Sequence, residues 1–265
     1  MAVLAILTCE ILELEFAHLL ATDPDVSWVT VLEDARSARL IELLKSGGVR
    51  NLRLIPHIGS YNPEPAEQLE VVIRVLEVGL HRHRNVLRKA LKDAARELGR
   101  HADALLLGYG LCGNALAHPE ELLDVGIPLF IPMDKGHPVD DCVGLLIGGR
   151  DCYYAEQCKT PGTFFMTPGW ACHWRRMFEG SHGGAGDALK RMFAHYERTL
   201  LIVTPVMPED EMKHRAEEFN RLLGLRVETG QGTLDLLIET WNSAKAEVLK
   251  ATADAGARHA LPQQG

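Results

Sequence analysis

Val3-Leu4-Ala5-Ile6-Leu7-Thr8-Cys9-Glu10-Ile11-Leu12-Glu13-Leu14-Glu15-Phe16 lies near the start of the chain. Its first half is a short apolar run without helical period, the pattern of a strand buried on both faces. The rhythm changes at Glu10, after which Leu12, Phe16, Leu19 and Leu20 fall on one helical face through Leu20. A buried strand passing straight into a helix is the unit from which parallel sheets are built. The same alternation recurs downstream. Strands are expected at Ser27–Leu32, Leu52–Ile55, Ala104–Leu107, Pro128–Ile131, Leu200–Thr204 and Leu225–Thr229. Helices are expected at Ala35–Leu44, stopped by Gly47-Gly48, and at Pro119–Leu123, Asp141–Ile147, Glu209–Leu223 and Thr233–Lys250. The amphipathic stretch Ala66–Leu98 reads as two helices broken near Gly79–His83. Asp151–Glu179 is rich in aromatic, Cys and His residues and has no clean period. Two Thr-Pro-Gly turns within it, at Thr160 and Thr167, bracket a β-ribbon over Thr163–Met166. Gly183–Tyr196 is Gly-rich, then helical, and Ala251–Gly265 is expected to fray.

These elements predict an α/β fold: parallel-sheet βα units with helices on both faces, read as pseudo-repeated Rossmann-like subdomains. The organisation is a first α/β unit over 1–100 and a second with Cys-bearing loops over 101–150. An aromatic, Cys-rich insertion and a third unit occupy 151–250, with a tail over 251–265. All are expected to form one globular body.

Composition narrows the function classes. Of 265 residues 46% are apolar and 24% charged, which places the chain among globular proteins. The formal charge is −8, with 36 acidic against 28 basic residues, so there is no basic footprint for nucleic acid or anionic lipid. No run approaches the ~18 apolar residues of a membrane span. Met1–Leu7 lacks a basic lead and is cut off by Glu10, Glu13 and Glu15, so a cytoplasmic protein with reduced thiols is expected.

Those thiols carry the chemistry. Cys9, Cys112 and Cys142 follow the first, fourth and fifth expected strands, and ligands of parallel sheets sit beyond the carboxyl ends of strands. Three thiolates suit an iron–sulfur cluster with one open iron, a 4Fe-4S cluster being favoured, or zinc with one open position. Helix N-termini are expected to lower the thiol pKa. Any single buried Cys also reads as a small hydrophobe. Cys152, Cys158 and Cys172 form no Cys-x-x-Cys pair and read as packing or peripheral residues.

His57, His137 and His173 are placed in loops. His57 and His137, with Tyr109 and Asn114, are the candidate catalytic groups, and a neutral loop imidazole is a ready ligand or proton carrier. Asp140 and Asp141 read as carboxylates supporting a ligand or as the cap of the next helix. Gly108, Gly110, Gly113 and Trp170 are candidate cofactor-binding residues. Gly108-x-Gly110-x-x-Gly113 follows a strand and matches the letters of the dinucleotide fingerprint, but it lacks the long helix and the acidic residue about 20 positions on. Tyr153, Tyr154, Phe164, Phe165 and Trp170 line a pocket for a planar ligand or belong to the core. His81-Arg82-His83-Arg84 reads as a solvated helix face.

Several of these segments together resemble the family catalogued as domain of unknown function 1638, over about residues 1–245. They are Cys9-Glu10-Ile11-Leu12-Glu13-Leu14-Glu15, Gly108-Tyr109-Gly110-Leu111-Cys112-Gly113-Asn114, Asp141-Cys142-Val143 with Leu145-Leu146-Ile147-Gly148, and Pro161-Gly162-Thr163-Phe164-Phe165 with Thr167-Pro168-Gly169-Trp170. The resemblance implies a link to corrinoid-dependent methyl transfer, with a corrinoid protein or methyltransferase as partner. The three-thiolate layout is also similar to quinolinate synthase, where three pseudo-repeated α/β units each offer one Cys. The expectation is a cysteine-ligated metalloprotein acting on a small molecule in redox or methyl-group metabolism. As an enzyme it would be a metal-dependent lyase or transferase, or a redox enzyme. Alternatives are a zinc-dependent thiol or corrinoid methyltransferase, a non-catalytic corrinoid-protein partner, and a nucleotide-binding enzyme built on Gly108–Gly113.

Overall fold

The computed structural model describes residues 2–63, 69–178 and 185–259. Strand β1 (Ala2–Cys9) is buried along its whole length, as its unbroken apolar run requires. The chain continues through a 3-10 turn (Glu10–Leu12), α1 (Glu13–Thr22), β2 (Val26–Leu32), α2 (Ala38–Ser46), β3 (Leu52–Ile55), β4 (Leu69–Leu76), α3 (Arg84–Leu98), β5 (Ala104–Gly108), α4 (Pro119–Leu123) and β6 (Leu129–Phe130). These strands form one sheet in the order β3-β2-β4-β1-β5-β6, with every pairing parallel. Alternate residues of β1 divide between two cores. Leu4 and Ile6 pack toward α1 and α2 with Phe16 and Leu40, whereas Ala5 and Leu7 pack toward α3 with Leu87 and Leu91. Helices therefore cover both faces of a Rossmann-like parallel sheet.

After a two-stranded hairpin, β7 (Met133–Asp134) and β8 (His137–Pro138), come α5 (Cys142–Leu146) and α6 (Arg150–Lys159). A second parallel sheet, in the order β11-β10-β9, is built from β9 (Thr163–Met166), β10 (Arg198–Val203) and β11 (Arg226–Gln231), with α7 (Pro168–Phe178), α8 (Ala185–Met192) and α9 (Glu209–Leu223) between its strands. The last helix, α10 (Asp235–His259), joins the two sheets through one core, in which Leu237 and Trp241 meet Leu4, Ile6, Leu200 and Ile202.

Four expectations are corrected. Residues 69–76 are not helical but form β4, a central strand; Leu69, Val72, Ile73 and Leu76 also fit a helical face, and burial on both sides decides for the β-branched strand. Thr163–Met166 is a strand of a parallel sheet, not a ribbon, because β10 reaches it through a helical crossover. The aperiodic segment around it holds α6 and α7. The chain past Lys250 continues as helix to His259, where alanine-rich sequence sustains helix without an apolar face; the remainder of the expected tail, like Gly183, Glu64 and Pro65, lies outside the described residues. Among the described residues no helix is long and apolar enough to cross a membrane.

Candidate functional site

The carboxyl ends of β1 and β5 lie side by side, with Thr8 paired to Gly108, and the next loops are pressed against them. Gly108 admits no side chain: a Cβ there would overlap Phe16 and Thr8. A Cβ on Gly110 would lie 2.5 Å from the Val139 carbonyl oxygen and 2.7 Å from the Asp141 nitrogen. This contact lets the loop run flat along residues 139–141. Leu111 N–H donates to Val139 O at 2.9 Å and Cys112 N–H to Asp140 O at 2.8 Å. Cys112, Gly113 and Asn114 then turn the chain through three left-handed residues, with φ of 46°, 64° and 62°. Asp141 Oδ1 caps α5 by accepting from Val143 N–H and Gly144 N–H, both at 2.9 Å, and so sets Cys142 at the first helical position.

Cys9, Cys112 and Cys142 thereby line a single cavity of about 430 Å³. Tyr109, Gly108, Gly110, Gly113 and Trp170 line it as well, together with Tyr153, Phe164 and Phe165. The other three candidates lie elsewhere. His57 is exposed beyond β3 with Ser60 Oγ 3.1 Å from its Nε2, His137 is exposed on the β7–β8 hairpin, and Asn114 is exposed with its carbonyl accepting from Arg84 Nη2 at 2.8 Å. None of the three borders the thiol cavity. Cys152 and Cys158 are exposed on α6, and Cys172 is half-buried on α7.

The three thiols act on one another. Burial pushes the Cys9 thiol up, and Cys112 adds to the shift; the N–H groups of Ile11 and Leu12, at the start of the 3-10 turn, oppose it. Burial and Asp141 push Cys112 up to about 12. Burial, Asp141, Cys9 and Cys112 raise Cys142, opposed by a hydrogen bond with the Trp170 side chain. The expected lowering by helix N-termini is thus overridden by desolvation and by mutual repulsion of the anionic forms. The Tyr109 phenol is buried against the same group without a hydrogen-bond partner, and its pKa is raised by burial and then by Cys9 and Cys112.

Sequence reasoning missed His81, which lines the cavity. It sits in a 3-10 turn (Val78–Arg82), its Nδ1 lies 3.0 Å from the Val78 carbonyl oxygen, and its ring stacks on Tyr109 with centroids 5.9 Å apart. The His-Arg alternation resembled a solvated face; Val78, buried just before it, was the available signal.

A second cleft backs onto the first. Cys9, Ile11 and Leu12 face the thiol cavity, whereas Glu10 and Glu13 face a cleft bordered by Arg39, Arg176, Arg215 and His173. Glu10 is buried, bonded to Arg176 Nη1 at 2.5 Å and to Val78 N–H at 2.9 Å. Glu13 is buried, with Arg39 Nε at 3.0 Å and His173 Nε2 at 2.7 Å. His173 is therefore a buried residue of α7, not a loop histidine, because Thr167-Pro168 begins a helix there.

Among the described residues no group of three or more His, Cys, Asp and Glu side chains is placed to hold a metal ion. Among the described residues the wall carries four sulfurs, those of Cys9, Cys112, Cys142 and Met177, and three phenols, with no lysine or arginine; thiolate and thioether sulfurs are soft donors.

In comparisons with known proteins, the family model described as "Protein of unknown function (DUF1638)" matches residues 75–241, more than half of the chain. The matched stretch holds Cys112, Cys142 and Trp170 and begins after Cys9. No curated protein and no solved structure matches.

Proposed function

The chain belongs to the DUF1638 family of proteins of unknown function, and for this member we propose a cysteine-ligated metalloprotein. Its iron–sulfur cluster would be held by Cys9, Cys112 and Cys142 and would serve redox or one-carbon chemistry on a small molecule. The observation that carries this reading is the convergence of three thiols, from three separate strand exits, on one cavity.

When bound, such a cluster supplies one-electron transfer and an iron open to substrate. The chain supplies the rest. The thiols must lose their protons on loading, and a cationic centre would offset the burial, and then the mutual repulsion, that hold them protonated. The Trp170 side chain, hydrogen-bonded with Cys142, orients that sulfur. Tyr109, stacked on His81, brings an uncommitted hydroxyl to the same wall. Phe164 and Phe165 add apolar wall to the same cavity.

Anaerobic purification followed by iron and sulfide analysis tests the proposal. Brown protein with a cluster-type visible spectrum is expected. Cys9→Ser, Cys112→Ser and Cys142→Ser would each lower the iron content, and Cys152→Ser and Cys158→Ser would leave it unchanged. Protein that stays free of iron after anaerobic reconstitution with iron and sulfide would overturn the reading.

A further inference from the structure

Among the described residues the wall of the thiol cavity carries one carboxylate, Asp141, and neither lysine nor arginine. His81, a base on the wall, has its pKa lowered by burial and is neutral near pH 7. An anionic ligand such as a phosphate or dicarboxylate would therefore be repelled, with no countercharge to receive it.

The cavity is also bounded by five aromatic residues, Tyr153, Phe164, Phe165, Trp170 and Tyr196. Phe164 and Trp170 meet edge to face at 5.7 Å and 85°, and Tyr153 and Phe165 at 4.7 Å and 90°. Perpendicular pairs present ring faces in different directions around one space, which suits a cation in contact with several π-systems. Asp141 Oδ1 already serves two backbone N–H groups, and the Thr163 hydroxyl donates to Thr160 O at 2.5 Å and accepts from Arg198 Nε at 2.8 Å. Ring faces are weak acceptors for N–H donors, whereas an alkylated ammonium has no such donors to satisfy and meets the rings through its methyl groups.

We propose that the part of this cavity left open beside the thiols binds a compact, fully alkylated onium ion of the quaternary-ammonium kind. The proposal rests on the preceding reading for the place of binding and for which end of the cavity is filled by metal.

The test is calorimetric titration of the full chain, prepared anaerobically and assayed for iron in the same sample. The probes are choline and its neutral isostere, in which a tert-butyl group replaces trimethylammonium. Choline is expected to bind saturably and at least about tenfold more tightly than the isostere. Phe164→Leu should remove about tenfold of choline affinity and change that of the isostere less than twofold. Should Phe164→Leu fail to fold, as judged by its melting curve, Tyr153→Leu makes the same comparison. Equal affinity for the two probes, or saturable binding of neither, overturns the proposal. Selective choline binding by iron-free protein would leave it standing while the metal reading falls; iron-loaded protein without selectivity would do the reverse.

Discussion

Gly169 and Ile11 meet backbone to backbone: a Cβ on Gly169 would stand 2.5 Å from the Ile11 carbonyl carbon. This contact docks α7 directly onto the turn that follows Cys9. Because Trp170 is the next residue of α7 and is hydrogen-bonded with Cys142, the contact also fixes the distance between two walls of the thiol cavity. Gly169→Ala must push α7 outward against backbone that cannot yield. A loss of about 3 kcal/mol in urea unfolding is expected, with a lower iron content per chain. A fully stable, fully loaded alanine variant would show that α7 is free to shift.

The same docking is held by buried charge. Glu13 and His173 are 160 positions apart in sequence and 2.7 Å apart in space, and both are buried. His173→Leu would remove one of the two partners of Glu13 Oε1 and leave it with Arg39 alone, next to an Oε2 that already has no partner. Breaking one side of a buried pair costs about 3–5 kcal/mol. Chemical denaturation should show a lowered midpoint, larger than that of the exposed-pair variant Lys89→Leu, whose partner Asp93 is solvated.

Much of this was readable from residue order. Burial on both faces produces the unbroken run Val3–Thr8, and the change of rhythm at Glu10 marks the helix that follows, so β1 and α1 could be placed without coordinates. The three thiols were legible as strand exits for the same reason. The strand at Leu69 was not, because a fully buried eight-residue run satisfies helical and extended periods equally well. Nor were the second cleft and His81. Both depend on which side of a single turn each residue faces, and no periodicity records that for the 3-10 turns at Glu10 and Val78. The glycines of the Gly108–Gly113 loop were recognised as important, yet at Gly108 and Gly110 the reason visible in space is close packing against Thr8 and residues 139–141.

Thiol reactivity offers a test that needs no metal. In metal-free protein Cys152 and Cys158 are exposed, whereas burial raises the pKa of Cys9, Cys112, Cys142 and Cys172. The thiolate is the nucleophile, so iodoacetamide near pH 7.5 should modify two cysteines rapidly, the half-buried Cys112, Cys142 and Cys172 much more slowly, and the buried Cys9 only on unfolding. Peptide mapping by mass spectrometry identifies them. Rapid modification of Cys142 would contradict the half-buried, anion-repelling setting described for it.

Glu15 gives the protein a pH dependence of its own. It is fully buried in α1, neither carboxyl oxygen has a hydrogen-bond partner, and burial raises its pKa from 4.5 to about 8, with Glu13 adding to the shift. The folded state therefore binds this proton more tightly than the unfolded chain does. Its contribution to stability is fully present below pH 4.5 and falls as pH rises toward 8, above which it changes no further. The span corresponds to at most about 5 kcal/mol. Glu15→Gln keeps the shape and cannot ionise, so it should match the parent near pH 5 and exceed it by several kcal/mol near pH 9 in urea unfolding. Parallel stability curves for the two proteins across that range would show that Glu15 finds a compensating partner once charged.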